Sequence, residues 1–335
     1  MRRALLIWLV LAAAALAAFA TALATGSSRL APMELLQALA FPDNSTAGDI
    51  VTRLRLPRAL AAFATGGLLA LSGALMQVLL RNPLADPYVL GLSGGASVGA
   101  LGVMLFGLGA GVVWVNLGAG VGALAAIALV LGLARRDFAR RELFGAIDAS
   151  PRLLLTGVIL ASGWGALITI MLTIASEAKL RGMLFWMMGD LNGAESWVPA
   201  MLMLVVALVI LYPAGRDLNV MLRGEALAHS LGVRVAPLRR RIYLVAAAAT
   251  ALAVTTAGPV GFVGLVVPHA LRLALGNDQR MLLPAAALAG GTLLLLADTV
   301  ARTVVAPQQL PVGVITAIIG VPSFMFLLMR RPGKA

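Results

Sequence analysis

Long apolar runs almost free of charge recur along the whole chain, and they restrict its fold more than any other feature. The first extends from Ala4 to Thr25, directly after Arg2 and Arg3. A membrane-spanning helix needs about 20 predominantly apolar residues. Since 61% of the 335 residues are hydrophobic and 12% are charged, we predict an all-α polytopic membrane protein whose residues 1–335 form a single transmembrane domain.

Ten membrane-spanning helices fit the pattern of apolar runs. Both termini then lie in the cytoplasm, and 19 of the 26 Lys and Arg residues fall on the cytoplasmic side, as the positive-inside rule requires. The eighth span is short and contains Pro268; if it formed one span with the seventh, every later loop would change sides. The predicted spans are residues 4–25, 57–79, 91–107, 113–133, 153–175, 197–213, 242–258, 259–275, 281–301 and 311–329.

The first apolar run has two interpretations. Residues Ala22–Thr25 resemble a small-residue cleavage site, which would make the run a signal peptide. The apolar core of a signal peptide is only about 7–15 residues long, so the greater length of this run favours an uncleaved span. In both interpretations the chain emerges near Gly26 on the side of the membrane that faces away from the cytoplasm.

Few residues in the chain can carry chemistry, which excludes several classes of protein. There is no Cys, and the two His residues, His229 and His269, are too far apart for a His-based metal site. No Gly-x-x-x-x-Gly-Lys-Ser/Thr motif for nucleotide hydrolysis is present. The formal charge of +12 is explained by cytoplasmic loops and not by nucleic-acid binding. We therefore predict no catalytic residue, no metal ligand and no cofactor, and we interpret His269 as a packing residue.

Charged residues near the outer side form two groups. Asp298 and Arg302 are four residues apart, which is the spacing of a same-face ion pair on a helix. Arg53, Arg55 and Arg58 lie at the mouth of the second span, where positive charge runs against the orientation rule. These three arginines would either capture an acidic partner or reach lipid headgroups. Acidic residues within spans are otherwise sparse, which disfavours an ion-coupled transporter.

Glycine and proline have two different roles in the predicted helices. Gly91, Gly95 and Gly99 share one helix face, where small side chains let backbones approach closely. Asn82–Pro87 and Gly258–Pro259 break their helices. Broken helices at membrane depth are tolerated where they are buried in protein or face a water-filled cavity, so these two breaks indicate a pathway.

Residues 214–241 are polar and basic, and they separate the sixth span from the seventh. Their pattern predicts two short helices, the first with Asp217 as its N-cap and the second opened by Glu225. Gly224 separates the two helices, and Gly232 stands where a C-terminal cap belongs. Charge alone does not distinguish a loop that sets topology from a docking surface for a partner.

Eight motifs, taken in order, resemble those of one known family. They are similar to the permease subunits of the FecCD/BtuC family, ABC importers for iron-siderophores, haem and vitamin B12. The match extends from about residue 50 to the end of the chain. The motifs are Arg55–Arg58, Ser72–Gln77, Arg81–Pro87, Gly91–Ala96, Phe185–Gly189, Gly261–His269, Leu296–Asp298 with Arg302, and Leu310–Gly313.

The resemblance implies a fold, a location and partners. The fold is that of a type II, BtuC-like ABC importer permease with ten transmembrane helices in the inner (plasma) membrane of a bacterium. The partners are a second copy of the chain, two cytoplasmic ATPase subunits that bind ATP and Mg, and a periplasmic substrate-binding protein. The chain itself is then not an enzyme, because ATP hydrolysis resides on the partner subunits.

The resemblance also implies roles for individual residues. Arg55, Arg58 and Arg302 would meet acidic residues of the binding protein. Asn82, Pro83 and Leu84 would close the cytoplasmic end of the pathway. Residues 214–241 would hold coupling helices that sit in the ATPase, and the coupling candidates are Leu218, Met221, Leu222, Gly224, Glu225, Ala226, His229, Leu231 and Gly232.

The sequence therefore leads to one main hypothesis and two alternatives. The main hypothesis is a permease that moves a metal chelate, either a ferric siderophore or haem, from periplasm to cytoplasm. Vitamin B12 is the alternative substrate. The alternative of another class is an ion-coupled secondary transporter that works without an ATPase.

Overall fold

The protein is built from helices. The computed structural model describes residues 2–26, 33–34, 37–38, 46–109, 111–133, 150–194 and 196–329, and thirteen helices carry the fold within this part of the chain. A helical turn, Thr46–Asp49, and a π-helical stretch, Ile50–Arg55, lead directly into the second helix, and a 3-10 turn, Pro87–Leu90, precedes the third. The helices are α1 Arg2–Ala24, α2 Leu56–Leu79, α3 Leu92–Phe106, α4 Val112–Leu133, α5 Ser150–Ile174, α6 Glu177–Met187, α7 Val198–Leu211, α8 Gly215–Met221, α9 Glu225–Ser230, α10 Val235–Ala257, α11 Val263–Leu275, α12 Gln279–Thr303 and α13 Val312–Met329.

Helix α2 lies at the centre of the fold, because apart from Arg58 and Gln77 its residues are apolar or small on every side. It packs against α12, α10, α11 and α7. Gly66 and Gly67 let two of these neighbouring helices approach α2 closely. A Cβ at Gly66 would lie 2.6 Å from the Cβ of Leu294 on α12, and one at Gly67 would lie 2.9 Å from Leu204 on α7. A larger side chain at either position would therefore push neighbouring helices apart.

Helices α3 and α4 cross through matched glycines. A Cβ at Gly95 would lie 2.6 Å from the carbonyl oxygen of Gly122, and Gly99 approaches Gly118 in the same way. Close packing is confirmed for Gly95 and Gly99. Gly91 has a different role: its φ of 73° places it in the left-handed region, where it forms the N-cap of α3.

Hydrogen bonds between distant segments identify two ends of the bundle. At the coupling end, defined as α8, α9 and residues 276–281, Asn219 donates to Asp278 at 2.8 Å. Trp8 of α1 donates to the carbonyl oxygen of Met281 at 3.2 Å, so the first turns of α1 also lie there. At the opposite, arginine end, defined as residues 49–58, 188–194 and 298–309, the backbone N–H of Asp190 donates to the carbonyl of Ala257 at 2.8 Å.

Helices α10 and α11 run in opposite directions between these ends. Helix α10 finishes at Ala257, and Gly258 and Phe262, both with positive φ, separate it from α11. The seventh and eighth predicted spans are therefore two helices, and residues 276–281 lie at the same end as residues 214–241, as predicted. Helix α11 has 13 residues, a length of about 20 Å. Because the hydrocarbon core is about 30 Å thick, α11 alone is too short to cross it.

Within the described residues, five helical segments are long and apolar enough to cross a membrane. Helices α7 and α8, bent by 72°, would form a sixth span, and α3, α11 and α13 are shorter apolar helices. A helix occupies each of the ten predicted spans, which confirms the all-α polytopic fold. The number of crossings stays a prediction. The five segments are Ala4–Ala24, Ala47–Leu79, Val112–Leu133, Leu155–Ile174 and Gln279–Thr303.

Candidate functional site

Two arginines that are far apart in the sequence converge on Asp298 at the arginine end. The Nη2 of Arg58 donates to Oδ1 of Asp298 at 2.8 Å, and its Nε lies 3.1 Å from both carboxylate oxygens. The Nε of Arg302 lies 3.1 Å from Oδ2 without the alignment of a hydrogen bond, so it contributes as an ion pair. The predicted pair of Asp298 and Arg302 is confirmed. Arg58 was missed as its third member because it lies 240 residues away.

Arg55 and Arg302 also connect α1 to this cluster. The Nη1 of Arg55 donates to the carbonyl of Leu23 at 2.6 Å and to that of Ala24 at 3.3 Å. The Nη2 of Arg302 donates to the carbonyl of Ala22 at 3.3 Å. The last carbonyls of a helix lack intrahelical partners and carry partial negative charge. The arginines therefore hold α1, α2 and α12 together.

Burial affects how these arginines could serve as a docking surface. Arg55 is 5% exposed, and the side chains of Arg58 and Arg302 are 12% and 9% exposed. The side chain of Arg53 is 74% exposed and pairs with Asp49 at 2.8 Å. Contact of Arg55, Arg58 and Arg302 with a binding protein stays a prediction. Arg53, which the family resemblance did not include, presents the most accessible charge of the four.

An open cavity of about 270 Å³ lies among these arginines. The loop Leu191–Ala194 and Pro307 complete its wall. Asp190 precedes this loop and accepts a hydrogen bond from the backbone N–H of Asn192 at 2.8 Å; burial raises the pKa of its carboxyl group. A cavity lined by several guanidinium groups fits an acidic side chain better than a neutral or basic one.

The two helix breaks that are far apart in the sequence meet inside the protein. Tyr88, in the 3-10 turn before α3, donates through Oη to the carbonyl of Val260 at 3.0 Å and accepts from the N–H of Val260 at 2.9 Å. A Cβ at Gly264, in the first turn of α11, would lie 2.6 Å from Cγ of Pro87. Backbone groups freed at the second break are thus bonded within protein, as membrane depth requires. That the breaks face a pathway stays a prediction.

Replacing Tyr88 by phenylalanine tests this bridge. Losing the hydroxyl leaves the N–H and C=O of Val260 without that partner, and an unsatisfied buried polar group costs about 1–3 kcal/mol. We expect the midpoint of thermal unfolding in detergent to fall by a few degrees. Tyr212→Phe, which removes a hydroxyl at a position that is 49% exposed, is the matched control. Equal melting of both variants and the unmodified protein would show that the bridge does not stabilise the fold.

The predicted gate residues form an exposed turn at the coupling end. Asn82 accepts a hydrogen bond through Oδ1 from the N–H of Leu84 at 2.9 Å, Pro83 lies between them, and Leu84 is 43% exposed. Arg81 adopts a φ of 48°, and its Nη1 lies 4.0 Å from the point where a Cβ on Gly224 would be. Closure of a pathway by this turn stays a prediction. Its position beside Gly224 allows movement of α8 and α9 to reach it directly.

Helix α9 has the two ends that the sequence predicts. It begins directly after Gly224, whose φ of 124° is accessible to glycine but not to most residues. It ends in a Schellman motif, in which Gly232 has a φ of 82°. The N–H of Gly232 donates to the carbonyl of His229, and the N–H of Val233 donates to that of Ala228, both at 2.9 Å.

One prediction about α8 needs correction. The helix begins at Gly215, whose N–H already donates to the carbonyl of Tyr212 at 3.2 Å, because the chain turns directly from α7 into α8. Asp217 therefore lies in the first turn, and its prediction as the N-cap is wrong. Leu218 and Met221 are completely buried. They pack α8 onto the rest of the chain, and their part in ATPase coupling stays a prediction.

Helix α9 and its C-terminal cap expose four of the other seven coupling candidates. Leu227 and Leu231, four residues apart, are 43% and 63% exposed. Leu227 was missed because a leucine in a helical apolar pattern is usually interpreted as buried. The carboxylate of Glu225 lies 3.6 Å from Arg239 and so connects α9 to α10. Of the remaining candidates, Ala226, His229 and Gly232 are exposed, and Leu222 and Gly224 are partly buried.

Metal-ligating side chains are scattered in this fold. In the part of the chain that the structure describes, no three His, Cys, Asp or Glu residues form a group that could hold a metal ion. The ring of His269 lies edge-on to that of Phe324, with 6.1 Å between centroids. This contact agrees with the interpretation of His269 as a packing residue.

Comparison with known proteins places this architecture in one family. The family model of the FecCD transport family matches residues 13–330. The chain belongs to the FecCD transport family. It is 41% identical to the cobalamin import system permease protein BtuC of Halobacterium salinarum, over 89% of this chain and 78% of the relative. It is also 41% identical to the vitamin B12 import system permease protein BtuC of Salmonella paratyphi A, over 85% of this chain and 86% of the relative.

Solved structures show the same fold. A structure described as an inward-facing conformation of a metal-chelate type ABC transporter matches with a TM-score of 0.82 and 28% identity, over 98% of this chain and all of the other. PsaBC from Streptococcus pneumoniae matches with a TM-score of 0.54 and 16% identity, which concerns the fold alone. The FecCD protein is therefore a multi-pass ABC importer permease, as the resemblance predicted. Permeases of this kind work with ATPase subunits and a substrate-binding protein.

Proposed function

We propose that this chain is the permease of a binding-protein-dependent importer for a corrinoid such as vitamin B12. The observation that carries the proposal is the 41% identity to permeases named for cobalamin or vitamin B12 import, over 84–89% of the chain. The sequence alone favoured a ferric siderophore or haem, whereas the identity to these permeases favours a corrinoid. A ferric siderophore or haem is the second candidate, because the solved relative at 28% identity is described as a metal-chelate type transporter.

The interior suits a bulky chelate whose metal is already held by an organic ligand. The paired breaks are held by hydrogen bonds between the Tyr88 hydroxyl and the backbone of Val260. Among the described residues, no metal-binding group exists that could compete for the metal. A homodimer supplies the second half of the pathway. Exposed apolar side chains, including Ile159 on α5 and Ile318 on α13, are available for contact with the second copy or with lipid.

The driving force comes from outside the chain. The sequence has no nucleotide-hydrolysing motif, so the energy of ATP hydrolysis has to come from partner subunits. In this proposal two ATPase subunits, which bind ATP and Mg, dock at the coupling end. They push on α8 and α9, which lie beside the turn at Asn82–Leu84. In this arrangement the coupling end and both termini face the cytoplasm of a bacterial cell, and the arginine end faces the periplasm.

Uptake into proteoliposomes tests the substrate. The complex of permease and ATPase is reconstituted with its binding protein and supplied with cyanocobalamin, haemin or a ferric hydroxamate siderophore at matched concentrations. We expect ATP-dependent accumulation of cyanocobalamin alone. Accumulation of haemin or the siderophore instead would support the second candidate. Uptake driven by a proton or sodium gradient without ATP would contradict the importer mechanism as a whole.

Reversing the charge of Arg53 tests the docking surface at the arginine end. Arg53→Glu should weaken capture of the binding protein by roughly tenfold at low salt, and less at high salt, because exposed charges are screened. Arg53 is preferred to Arg55 and Arg58, whose reversal would disrupt buried contacts. Arg223→Glu, which reverses the charge of an exposed arginine at the coupling end, is the control. Unchanged capture at low ionic strength would remove Arg53 from the docking surface.

A further inference from the structure

A second open cavity, of about 400 Å³, lies at the coupling end. It is bounded by α8, the C-terminal cap of α9 and the first turns of α10. Arg216, Arg234 and Arg241 line it together with one carboxylate, that of Asp217. The other lining side chains are apolar or small, so positive charge dominates the cavity.

The three arginines of this cavity are available to a ligand. All three are exposed, and among the described residues no side-chain hydrogen bond or ion pair engages them. Arg239 differs, because it is 8% exposed and lies 3.6 Å from Glu225. The fold therefore uses Arg239 internally and leaves the three cavity arginines to face solvent or a partner.

The cavity lies at the boundary between polar and apolar parts of the protein. Arg241 is the last charged residue of α10, and the sequence is uncharged from Ile242 to Ala257. Leu244, which shares a helix face with Arg241, is 43% exposed, and Tyr212 at the end of α7 is 49% exposed. Exposed apolar side chains directly next to a basic cavity mark the level of lipid headgroups.

We propose that this cavity binds the headgroup of an anionic phospholipid, such as cardiolipin or phosphatidylglycerol, at the coupling end. Guanidinium groups match phosphate oxygens in charge and geometry, and basic pockets between membrane helices bind lipid headgroups of this kind. The acyl chains lie along the apolar surface that begins at Leu244. This inference goes beyond the proposed transport function and does not depend on the substrate.

A bound lipid would influence the coupling helices. Arg216 stands on α8, Arg234 follows the cap of α9, and Arg241 lies on α10, so one headgroup bridges all three elements. These are the elements that we propose the ATPase moves. The content of anionic lipid in the membrane would then affect how efficiently ATP hydrolysis is coupled to transport.

Cardiolipin binding to the whole complex tests the proposal. The permease with its ATPase is placed in phosphatidylcholine nanodiscs, cardiolipin is titrated in, and retained lipid is measured by native mass spectrometry. The triple variant Arg216→Gln, Arg234→Gln, Arg241→Gln should bind on the order of 100-fold more weakly, because each basic residue contributes about fivefold. The matched control removes three exposed arginines of the same end that lie outside the cavity: Arg223→Gln, Arg240→Gln and Arg280→Gln.

A further variant separates loss of binding from misfolding. Asp217→Asn removes the negative charge of the cavity and should tighten cardiolipin binding by about fivefold, which a misfolded protein cannot do. Equal retention by both triple variants would overturn the proposal. Loss of cardiolipin when the ATPase is added to isolated permease would identify a protein-docking surface instead. Binding of inorganic phosphate as tight as that of cardiolipin would identify a free-anion site, and would also overturn it.

Discussion

Replacing Asp298 by asparagine is expected to destabilise the protein more than any other single change considered. Asp298 is completely buried, and its carboxylate balances Arg58 and Arg302, whose side chains are 12% and 9% exposed. The neutral amide leaves two guanidinium groups close together without the carboxylate that paired with both. Breaking a buried ion pair in this way costs about 3–5 kcal/mol, a large part of the roughly 5–15 kcal/mol that stabilises a typical protein.

The loss should be visible as a low yield of monodisperse protein in detergent and a strongly reduced midpoint of thermal unfolding. Asp49→Asn is the matched control, because it removes a carboxylate that pairs with Arg53 at 2.8 Å on the surface. Exposed pairs contribute about 0–1 kcal/mol, so this variant should melt close to the unmodified protein. If Asp298→Asn melted at the same temperature as Asp49→Asn, the cluster would not hold α1, α2 and α12 together.

A double variant separates charge from packing. Asp298→Asn combined with Arg302→Gln restores the net charge of the cluster and should recover part of the lost stability. Residues within one ion-pair network are not additive, and their coupling is measured by this comparison. No recovery at all would indicate that the shape of the carboxylate contact, and not its charge, stabilises the arginine end.

The second large effect is expected at the coupling end. Leu227→Arg should abolish co-purification of the ATPase and ATP-driven uptake while leaving the fold intact. Leu227 is 43% exposed on α9, and an exposed apolar residue in a docking segment is a candidate binding hot spot. Loss of a hot spot costs about 2 kcal/mol or more, roughly a 30-fold weakening of the complex.

The control is a matched substitution at the other end of the bundle. Val305 is 44% exposed, so Val305→Arg places the same charge on an equally accessible apolar residue. It should leave binding of the ATPase unchanged. Normal ATPase binding by Leu227→Arg, or equal losses in both variants, would contradict the assignment of α9 as the coupling helix.

Several parts of the coupling segment could be predicted because they depend on backbone geometry that few residues adopt. Gly224 and Gly232 occupy positive φ values of 124° and 82°, and glycine is the residue that does so without strain. The direction of the apolar face of α8 could not be predicted in the same way. Leu218 and Met221 form a helical stripe, and such a stripe fits a partner as well as the interior of its own chain.

Local composition was sufficient to establish the helices, the approximate limits of the predicted spans and the close crossing at Gly95 and Gly99. Each of these depends on residues that are neighbours along the chain. Helix packing was needed to show that Arg58 joins Asp298 and Arg302, that Tyr88 bridges the two broken helices, and which arginines remain exposed. Contacts between residues about 170 to 240 positions apart arise from how whole helices are placed, and no local pattern of side chains records that placement.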